Sequence, residues 1–488
     1  MSSAARDVAE SSRAGQEAEQ EPESEPQRKW VALVSAAVFP GDEDDERAQK
    51  IDPGTDVLLD LNDPPLPSYL MLHPRVAPDP RRNNEPLSAY ILAADRSACI
   101  LLQVVEGNLP DFFLCNTHRS TVTILPPVPA YIKASEGLDI RPHLSIGLIA
   151  DPHRRGHYVV AQLHPTTSLY HPNKLLCYST AKGQWFARHL TRRQARMCNP
   201  FSETGVLAHD GRLWWIALAY GVFFCDPFTA LGCPELRFLP LPDDCEMDGY
   251  VGFDRRIRTL LDQRRCVRPS EGKLRFVEIR GLSYDVLVDV PAANPTVWMW
   301  TLDDPEGPDR WTLEYEVAFA EIWANKTYAD AGLLPREVPH IALVDPNDHY
   351  VVYFFQGSKF FGLDMREKKV VACKQCLIDR DQLMFRSSRP IVDAWELPPP
   401  PPKLSGDDDS SPDDNVWSTQ SYAEEKKRQV TESVDSWLNQ ARLEWTRDPD
   451  ASDESWREWQ MAPPSDESSV NSGGQADDEP EIQLPPSP

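Results

Sequence analysis

The sequence predicts an all-β protein whose core is β-propeller-like and built of short antiparallel strands. The first observation is a series of short apolar runs, rich in Val, Phe, Tyr, Trp and Ile, that extends from Trp30 to about Leu397 between Asp, Asn, Gly and Pro residues. Strands joined by hairpins have this pattern. The second is that helical spacing is scarce there, the best candidates being the acidic stretch after Gly41 and the turn near Thr191 to Met197. The third is length, because roughly 350 residues of short strands exceed an ordinary sandwich but fit a closed array of four-stranded blades.

A weak internal repeat supports the blade interpretation. "FFLCN" followed by "TILPPVP" resembles "VFFCDP" followed by "LRFLPLP", so that one strand reaches Cys115 or Cys225 and the next ends on Leu-Pro. "KLLCYSTAKGQW" and "KFFGLDMREKKVV" are looser versions of the same unit of strand, polar turn and strand. Their spacing is irregular, so the number of blades stays open.

Composition divides the chain into five segments. In chain order we predict a disordered acidic tail (1–28), the propeller-like core (29–397), a Pro/Asp-rich linker (398–415), an amphipathic helix (416–447) and a second disordered acidic tail (448–488). The helix is predicted because apolar residues recur at helical intervals, including Trp437, Leu438 and Trp445.

Charge and cysteine usage limit the partners and the compartment. The formal net charge is −26, so we expect neither nucleic acid nor membranes as partners. No apolar run is long enough for a membrane helix, and the N-terminal stretch lacks the apolar centre of a signal peptide. Ten cysteines without a secretory signal indicate free thiols in a reducing compartment. We therefore expect the cytoplasm, the nucleus or both, and not secretion.

Several motifs follow one another in a particular order in the middle of the chain. They are "GRLWW" at Gly211–Trp215, "GVFFCD" at Gly221–Asp226, a Leu-Pro strand end at Phe238–Pro242, and "RCVRPSEGKLRFV" at Arg265–Val277. In this order they resemble the plant family called domain of unknown function 1618, over about residues 205–345. That family has no established activity. Its strand pattern is similar to that of the β-propeller domains attached to F-box proteins, so the resemblance implies a propeller that binds partners. This chain shows no evident F-box helix bundle.

One short motif occurs twice in the sequence, as "DPHRRGHYVV" and as "DPNDHYVV". One interpretation is a pair of Asp-His dyads or metal ligands. The other is that each Asp accepts backbone hydrogen bonds in a turn, each Pro sets the next φ, and His-Tyr-Val-Val begins a buried strand. We favour the turn, and interpret the following residues as structural: Asp151, Pro152, His157, Asp345, Pro346, His349, Trp214, Trp215, Cys225 and Asp226.

Two further patterns leave alternatives open. The one dense basic stretch consists of Arg255, Arg256, Arg258, Arg264, Arg265 and Arg268. It could bind phosphate groups or an acidic peptide, form a solvated loop between strands, or dock the acidic tail of the chain itself. Cys373 and Cys376 form a Cys-x-x-Cys without a second ligand pair for zinc, and we interpret them as a hairpin end. We predict no catalytic, cofactor-binding or metal-binding residues.

The leading hypothesis is a non-enzymatic interaction scaffold that binds protein partners through propeller loops and the tail helix. Its candidate partner contacts are Trp437, Leu438, Trp445, Arg255, Arg256, Arg258, Arg264 and Arg265. One alternative is a propeller-type enzyme or small-ligand binder, in which His157, His349 or the arginine stretch would gather in one pocket. Another is a transcriptional co-regulator that acts through the acidic tail.

Overall fold

The fold is described by a computed structural model of the 488-residue chain. It describes residues 29–39, 54–73, 76, 88–106, 109–141, 146–165, 172–192, 205–229, 233–247, 255–283, 294–307, 310–376, 378 and 391–399. Within these residues no helix is long and apolar enough to cross a membrane.

The described strands form six small sheets, which we number as blades in chain order. Blade 1 contains β1 (Trp30–Val34), β3 (Val57–Asp60), β4 (Pro67–Leu72) and the last strand that the structure describes, β26 (Val392–Glu396). Blade 2 contains β2 (Ala36–Ala37), β5 (Ser88–Asp95), β6 (Cys99–Glu106), β7 (Leu109–Asn116) and β8 (Thr121–Ile124). Blade 3 contains β9 (Ile146–Ala150), β10 (Tyr158–His164), β11 (Lys174–Ser179) and β12 (Gln184–His189).

The second half of the chain forms the other three blades. Blade 4 contains β13 (Thr191–Arg192), β14 (Gly205–His209), β15 (Arg212–Ala217), β16 (Gly221–Cys225) and β17 (Glu235–Pro240). Blade 5 contains β18 (Arg265–Ser270), β19 (Lys273–Arg280), β20 (Thr296–Leu302) and β21 (Trp311–Ala318). Blade 6 contains β22 (His340–Asp345), β23 (Asp348–Gln356), β24 (Lys359–Asp364) and β25 (Lys369–Gln375). The prediction of an all-β propeller is therefore confirmed, and the number of blades is six.

Blade 1 closes the ring, because it joins strands from both ends of the described core. β26 pairs antiparallel with β1 from Trp30↔Glu396 to Val34↔Val392. Leu397 N also donates to Lys29 O at 2.9 Å. The pairing joins the two ends of the described core within one sheet, which is how a propeller ring closes.

The repeat seen in the sequence corresponds to the same position in four blades. "FFLCN", "KLLCYS", "VFFCD" and "KFFGLD" fall on β7, β11, β16 and β24, and each of these is the third strand of its hairpin series. Strands buried on both faces read as continuous apolar runs, which is why the pattern was visible. The spacing is widest between β16 and β24 because blade 5, which lies between them, has no copy of the pattern.

Helices are few, and the two helical candidates from the sequence are not among those described. The four are α1 (Ala130–Glu136), α2 (Arg255–Arg264), α3 (Phe319–Ala324) and α4 (Lys326–Asp330). The prediction near Thr191 is wrong at its start, because Thr191–Arg192 is strand β13 and pairs with β17. The rest of that stretch, and the acidic stretch after Gly41, lie outside the described residues.

Hydrophobic clusters fill the spaces between neighbouring blades. The largest joins blades 3, 4 and 5 and includes Trp214 and Trp215, which are fully buried on opposite faces of β15. Trp214 stacks on Phe224 of the next strand with 4.4 Å between ring centroids. Because each buried aromatic contributes a few kcal/mol, about 2–3 by area, these clusters hold the blades in fixed positions around the centre.

Candidate functional site: the central cavity

A cavity of about 650 Å³ lies where inner strands of the six blades meet. Its walls come from β5, β9, β14, β18, β22 and β26, one strand from each blade, and from the end of α2. Aliphatic residues form nearly half of the lining, with Leu33, Ile91, Leu148, Val206 and Ile341 among them. Concave, largely apolar cavities with a few polar groups are the usual form of binding sites.

Charged side chains line this cavity in two groups. The first group lies inside the cavity. Arg268 Nε of β18 lies 3.3 Å from Asp393 Oδ1 of β26, so this ion pair reaches past β22, which stands between the two strands. Asp262, at the end of α2, lines the cavity beside them. Its burial raises the pKa of the Asp262 carboxyl well above the usual value, against the opposing effect of Arg258 and Arg268. We call Asp262, Arg268 and Asp393 the inner charge group.

The second group lies where the inner strands end. Arg96 Nη1 approaches Glu396 Oε2 at 3.9 Å, and the Arg96 side chain is 61% exposed. His209, at the end of β14, lies near both, and burial lowers the pKa of its imidazole. A neutral His209 therefore adds no positive charge to this rim at neutral pH.

The two copies of the Asp-Pro motif occupy equivalent places in blades 3 and 6. Asp151 follows β9 and accepts a hydrogen bond from His153 N at 2.9 Å, and Asp345 ends β22 and accepts one from Asn347 N at 2.8 Å. Each turn leads from the first to the second strand of a blade. Pro152 and Pro346 follow the two Asp residues directly. These carboxylates thus serve as acceptors within turns.

The two histidines of the motif lie in different blades and do not line the cavity. His157 Nδ1 lies 3.4 Å from Thr180 Oγ1 of its own blade. His349 Nδ1 contacts Glu271 Oε2 of blade 5. They therefore form no common site.

Glu271, Asp348 and His349 are close enough together to hold a metal ion. Both carboxylates already have cationic neighbours, because Arg275 Nη2 lies 3.2 Å from Glu271 Oε2 and Arg366 Nη2 lies 2.5 Å from Asp348 Oδ2. The group therefore acts as an ion-pair network between blades 5 and 6.

The arginine stretch forms α2 and the beginning of β18, so the interpretation as a solvated loop between strands is wrong. Arg265 is also wrong as a partner contact. Its side chain is 4% exposed, pairs with Glu278, and donates to Leu218 O at 2.8 Å and Cys245 O at 2.9 Å. Arg264 donates to Ser283 O at 2.5 Å. The side chains of Arg255 and Arg256 lie outside the described residues.

The remaining candidates divide into strand residues and residues that are not described. Cys373 lies in β25 and Cys376 follows it, and burial raises the pKa of the Cys373 thiol. Burial also raises the pKa of Cys225 to about 12, and Asp226 accepts a hydrogen bond from Phe228 N at 2.7 Å in the following turn. The predicted tail helix with Trp437, Leu438 and Trp445 lies outside the described residues.

Sequence reasoning singled out Arg265, Arg268 and Pro346 but missed the other polar residues that line the cavity. His209, Asp393 and Glu396 are isolated charged or polar residues in apolar strands, Asp262 lies among the arginines of α2, and none of them follows a motif spacing. A usable signal was present only in "VDAWE", where Asp393 interrupts the last apolar strand. A charge at such a position indicates that one face of the strand is not packed.

Six four- or five-stranded blades around a central cavity define the protein as a six-bladed β-propeller. Residues 215–353 match the model of the family described as protein of unknown function (DUF1618), which confirms the resemblance found in the sequence. The match runs from β15 in blade 4 to β23 in blade 6. A comparison with curated proteins gives no match.

Solved structures with similar arrangements have low identity to this chain. They include a nidogen/laminin complex (11% identity, 58% of this chain and 78% of that chain, TM-score 0.28). Hydrazine synthase of Kuenenia stuttgartiensis has 9% identity over 59% of this chain and 86% of that chain, with a TM-score of 0.28. The WD40 domain of SCAP from fission yeast has 12% identity over 60% and 66%, with a TM-score of 0.26. Similarities at this level carry no argument about function, and the fold class rests on the blades themselves.

Proposed function

We propose that this protein is a non-enzymatic interaction protein that binds protein partners at the mouth of its propeller and through the loops around it. The observation that carries the proposal is the central cavity, whose walls come from all six blades. Such a site is held in shape before a partner arrives, so little ordering free energy is lost on binding. Propeller rims are well suited to this role because their loops vary while the blades stay fixed.

The chemistry of the described residues supports binding over catalysis. The duplicated Asp residues are engaged in turns, and the two motif histidines lie in separate blades. Burial raises the pKa of Cys115, Cys225 and Cys245 to about 12, so these thiols carry little thiolate at neutral pH.

The tail helix remains part of the proposal as a second contact. Trp437 and Trp445 would fill pockets on a partner, because a large aromatic side chain buries much area with few rotatable bonds. We also propose that the protein lies in the cytoplasm, the nucleus or both, because ten cysteines spread through a long chain indicate free thiols in a reducing compartment.

The enzyme or small-ligand alternative requires His157, His349 or the arginine stretch in one pocket. Among those of these residues whose side chains the structure describes, only Arg265 and Arg268 of β18 line the cavity, and both are ion-paired. We therefore do not propose it.

Quantitative affinity purification of the tagged full chain tests the proposal. It should be compared with a chain that ends at Leu397, with Trp437→Ala/Trp445→Ala in the full chain, and with the tag alone. We expect specific partners to be enriched by the full chain. Partners kept by the shortened chain belong to the propeller, and those lost with the tryptophans belong to the tail. If neither the full nor the shortened chain enriches a specific partner, the proposal is wrong.

A further inference from the structure

We infer that the central cavity receives a cationic side chain, Lys or Arg, carried on a segment of the partner protein, with Asp393 and Asp262 as the carboxylates that bind it. This inference rests on the proposed function and assigns the class of residue that the partner presents. It follows from carboxylate oxygens that have no hydrogen-bond donor among the described residues, from the balance of charge along the cavity wall, and from the apolar side chains there.

Asp393 presents a carboxylate oxygen to the cavity. Its side chain is 53% exposed, whereas its partner Arg268 is 14% exposed. Both contacts of the Asp393 carboxylate fall on Oδ1, which lies 3.3 Å from Arg268 Nε and accepts from Ala394 N at 3.1 Å. Within the described residues Oδ2 has no hydrogen-bond donor, so it is available to a cation from the cavity.

Asp262 is a second carboxylate at the same wall. In the part of the chain that the structure describes, no hydrogen bond or ion pair within 4 Å reaches its side chain, although Arg258 and Arg268 lie near enough to act electrostatically. Holding an unpaired carboxylate away from bulk water is costly. Burial therefore raises the pKa of this carboxyl, and a bound ammonium or guanidinium group would lower it again and favour the charged form.

The balance of charge along the cavity wall favours a cation. Its acidic residues are Asp95, Asp262, Glu271, Asp393 and Glu396, and its arginines are Arg96, Arg265 and Arg268. Glu271 is paired with Arg275 and Arg265 with Glu278, both partners being outside the lining. Asp262 is left out of this balance because its raised pKa favours the neutral form, so three carboxylates and two guanidinium groups remain. An anionic ligand would meet net repulsion there.

The apolar part of the wall suits the stem of a long basic side chain. Leu148 of blade 3 and Ile341, Ala342 and Phe355 of blade 6 line the cavity. Lys and Arg bury their methylene groups against such surfaces while their charged ends reach a carboxylate. A cavity of about 650 Å³ is larger than one side chain, so part of the partner's backbone can enter as well.

Peptide binding to the full-length protein tests the inference. The probes are four sets of heptapeptides with random flanking residues and a central Lys, Arg, norleucine or Glu, together with n-butylammonium as a free amine. The proteins are wild type, Asp393→Asn, Asp262→Asn and the double variant. Asp63→Asn is the matched control, because Asp63 is an exposed acid that pairs with Lys29 at 3.5 Å and does not line the cavity.

We expect saturable binding of the Lys or Arg set, with the norleucine and Glu sets about tenfold weaker or more. The double variant should lose about tenfold or more in affinity for the basic set, and Asp63→Asn should bind like wild type. Asp393→Glu keeps the charge and should keep binding, which separates loss of charge from loss of folding.

Three results would overturn the inference: no saturable binding of the basic sets, equal binding of norleucine and Lys peptides, or wild-type binding by the double variant. Equal affinity for n-butylammonium and the Lys set would assign the site to free amines and not to a partner segment. The failure of the proposed function would look different. If affinity purification returns partners that the double variant retains fully, the proposed function stands and the cavity inference falls.

Discussion

At the residue scale, Glu278 is a buried charge that pairs with two arginines. It pairs with Arg265 and, through Oε2, with Arg280 Nε at 3.0 Å. Arg280 lies over the Trp298 ring at 4.4 Å from its centroid and donates to Cys245 Sγ at 2.8 Å. Arg265 also donates to carbonyls that follow β15 and β17 of blade 4. The Arg265–Glu278 pair therefore joins blade 5 to blade 4.

We predict that Glu278→Gln lowers the free energy of unfolding by about 3 kcal/mol, because it leaves the Arg265 guanidinium buried without its counter-charge. Urea unfolding followed by tryptophan fluorescence measures this. Glu321→Gln is the control, because it breaks an exposed pair with Lys368 and should have little effect. Equal stability of Glu278→Gln and wild type would contradict the prediction.

Asp345 is predicted to make the stability depend on pH. Burial, with Asp348 and Glu271 nearby, raises its pKa to about 6, against the opposing hydrogen bond from Asn347 N. The folded state therefore holds this proton more tightly than the unfolded chain, whose carboxyl has a pKa near the ordinary 3.8. Stability contributed by the proton is present at low pH and is lost as pH rises through about 6.

It follows that Asp345→Asn should be more stable than wild type by about 2 kcal/mol at pH 7.5 and about equal to it near pH 4. Thermal unfolding across this range measures the difference. Asp151→Asn changes the equivalent turn of blade 3 and controls for the altered turn hydrogen bond. A stability difference for Asp345→Asn that does not change with pH would contradict this account.

At the scale of elements, β16 shows why one glycine of the family motif is needed. Gly221 begins this strand, and a Cβ atom there would lie 2.4 Å from Leu239 O and 2.5 Å from Phe238 Cε2 on β17. No real packing tolerates such distances, so the strands would have to separate. The requirement comes from close approach of two strands and not from an unusual φ.

Gly221→Ala should therefore lower the free energy of unfolding by about 2–3 kcal/mol. Gly205→Ala is a matched control, because Gly205 begins β14 and a Cβ atom there would meet nothing within 4 Å. The comparison by urea unfolding isolates steric crowding from the general effect of replacing a strand glycine. Similar effects of the two substitutions would contradict the prediction.

At the scale of the whole molecule, the ring depends on pairing between the two ends of the described core. β26 supplies the inner strand of blade 1, and Trp395 Nε1 donates to Asp95 O of blade 2 at 3.1 Å. Both contacts join residues far apart in the chain, so they form only when the other blades have assembled.

We predict that a chain of residues 29–399 unfolds in one cooperative transition near that of the full protein. A chain of residues 29–391 should lose this transition, because removing β26 exposes the edge of β1 and opens the cavity. Differential scanning calorimetry distinguishes the two. Retention of a cooperative transition without β26 would show that closure is not required.

Particular residues show which features of the fold and of the site can be predicted from the sequence. The turn roles of Asp151 and Asp345 follow from local chemistry, and the third strands that carry Cys115 and Cys225 follow from apolar runs. The helix α2 was missed because its arginines suggest a charged surface, although Ile257, Leu260 and Leu261 have helical spacing. Asp262 and Asp393 were missed because they lie far apart in the chain, and no local pattern records that they share a wall.

The sequence by itself determined that this protein is built of strands and turns, since side-chain periodicity and turn chemistry act over a few neighbouring residues. It also determined the family match over the middle of the chain. Only the tertiary structure decided that there are six blades, that β1 and β26 close the ring, and that Asp262, Arg268 and Asp393 meet in one cavity. The physical reason is that these features depend on contacts between residues distant in the chain, whose geometry is set when the blades pack around a common centre.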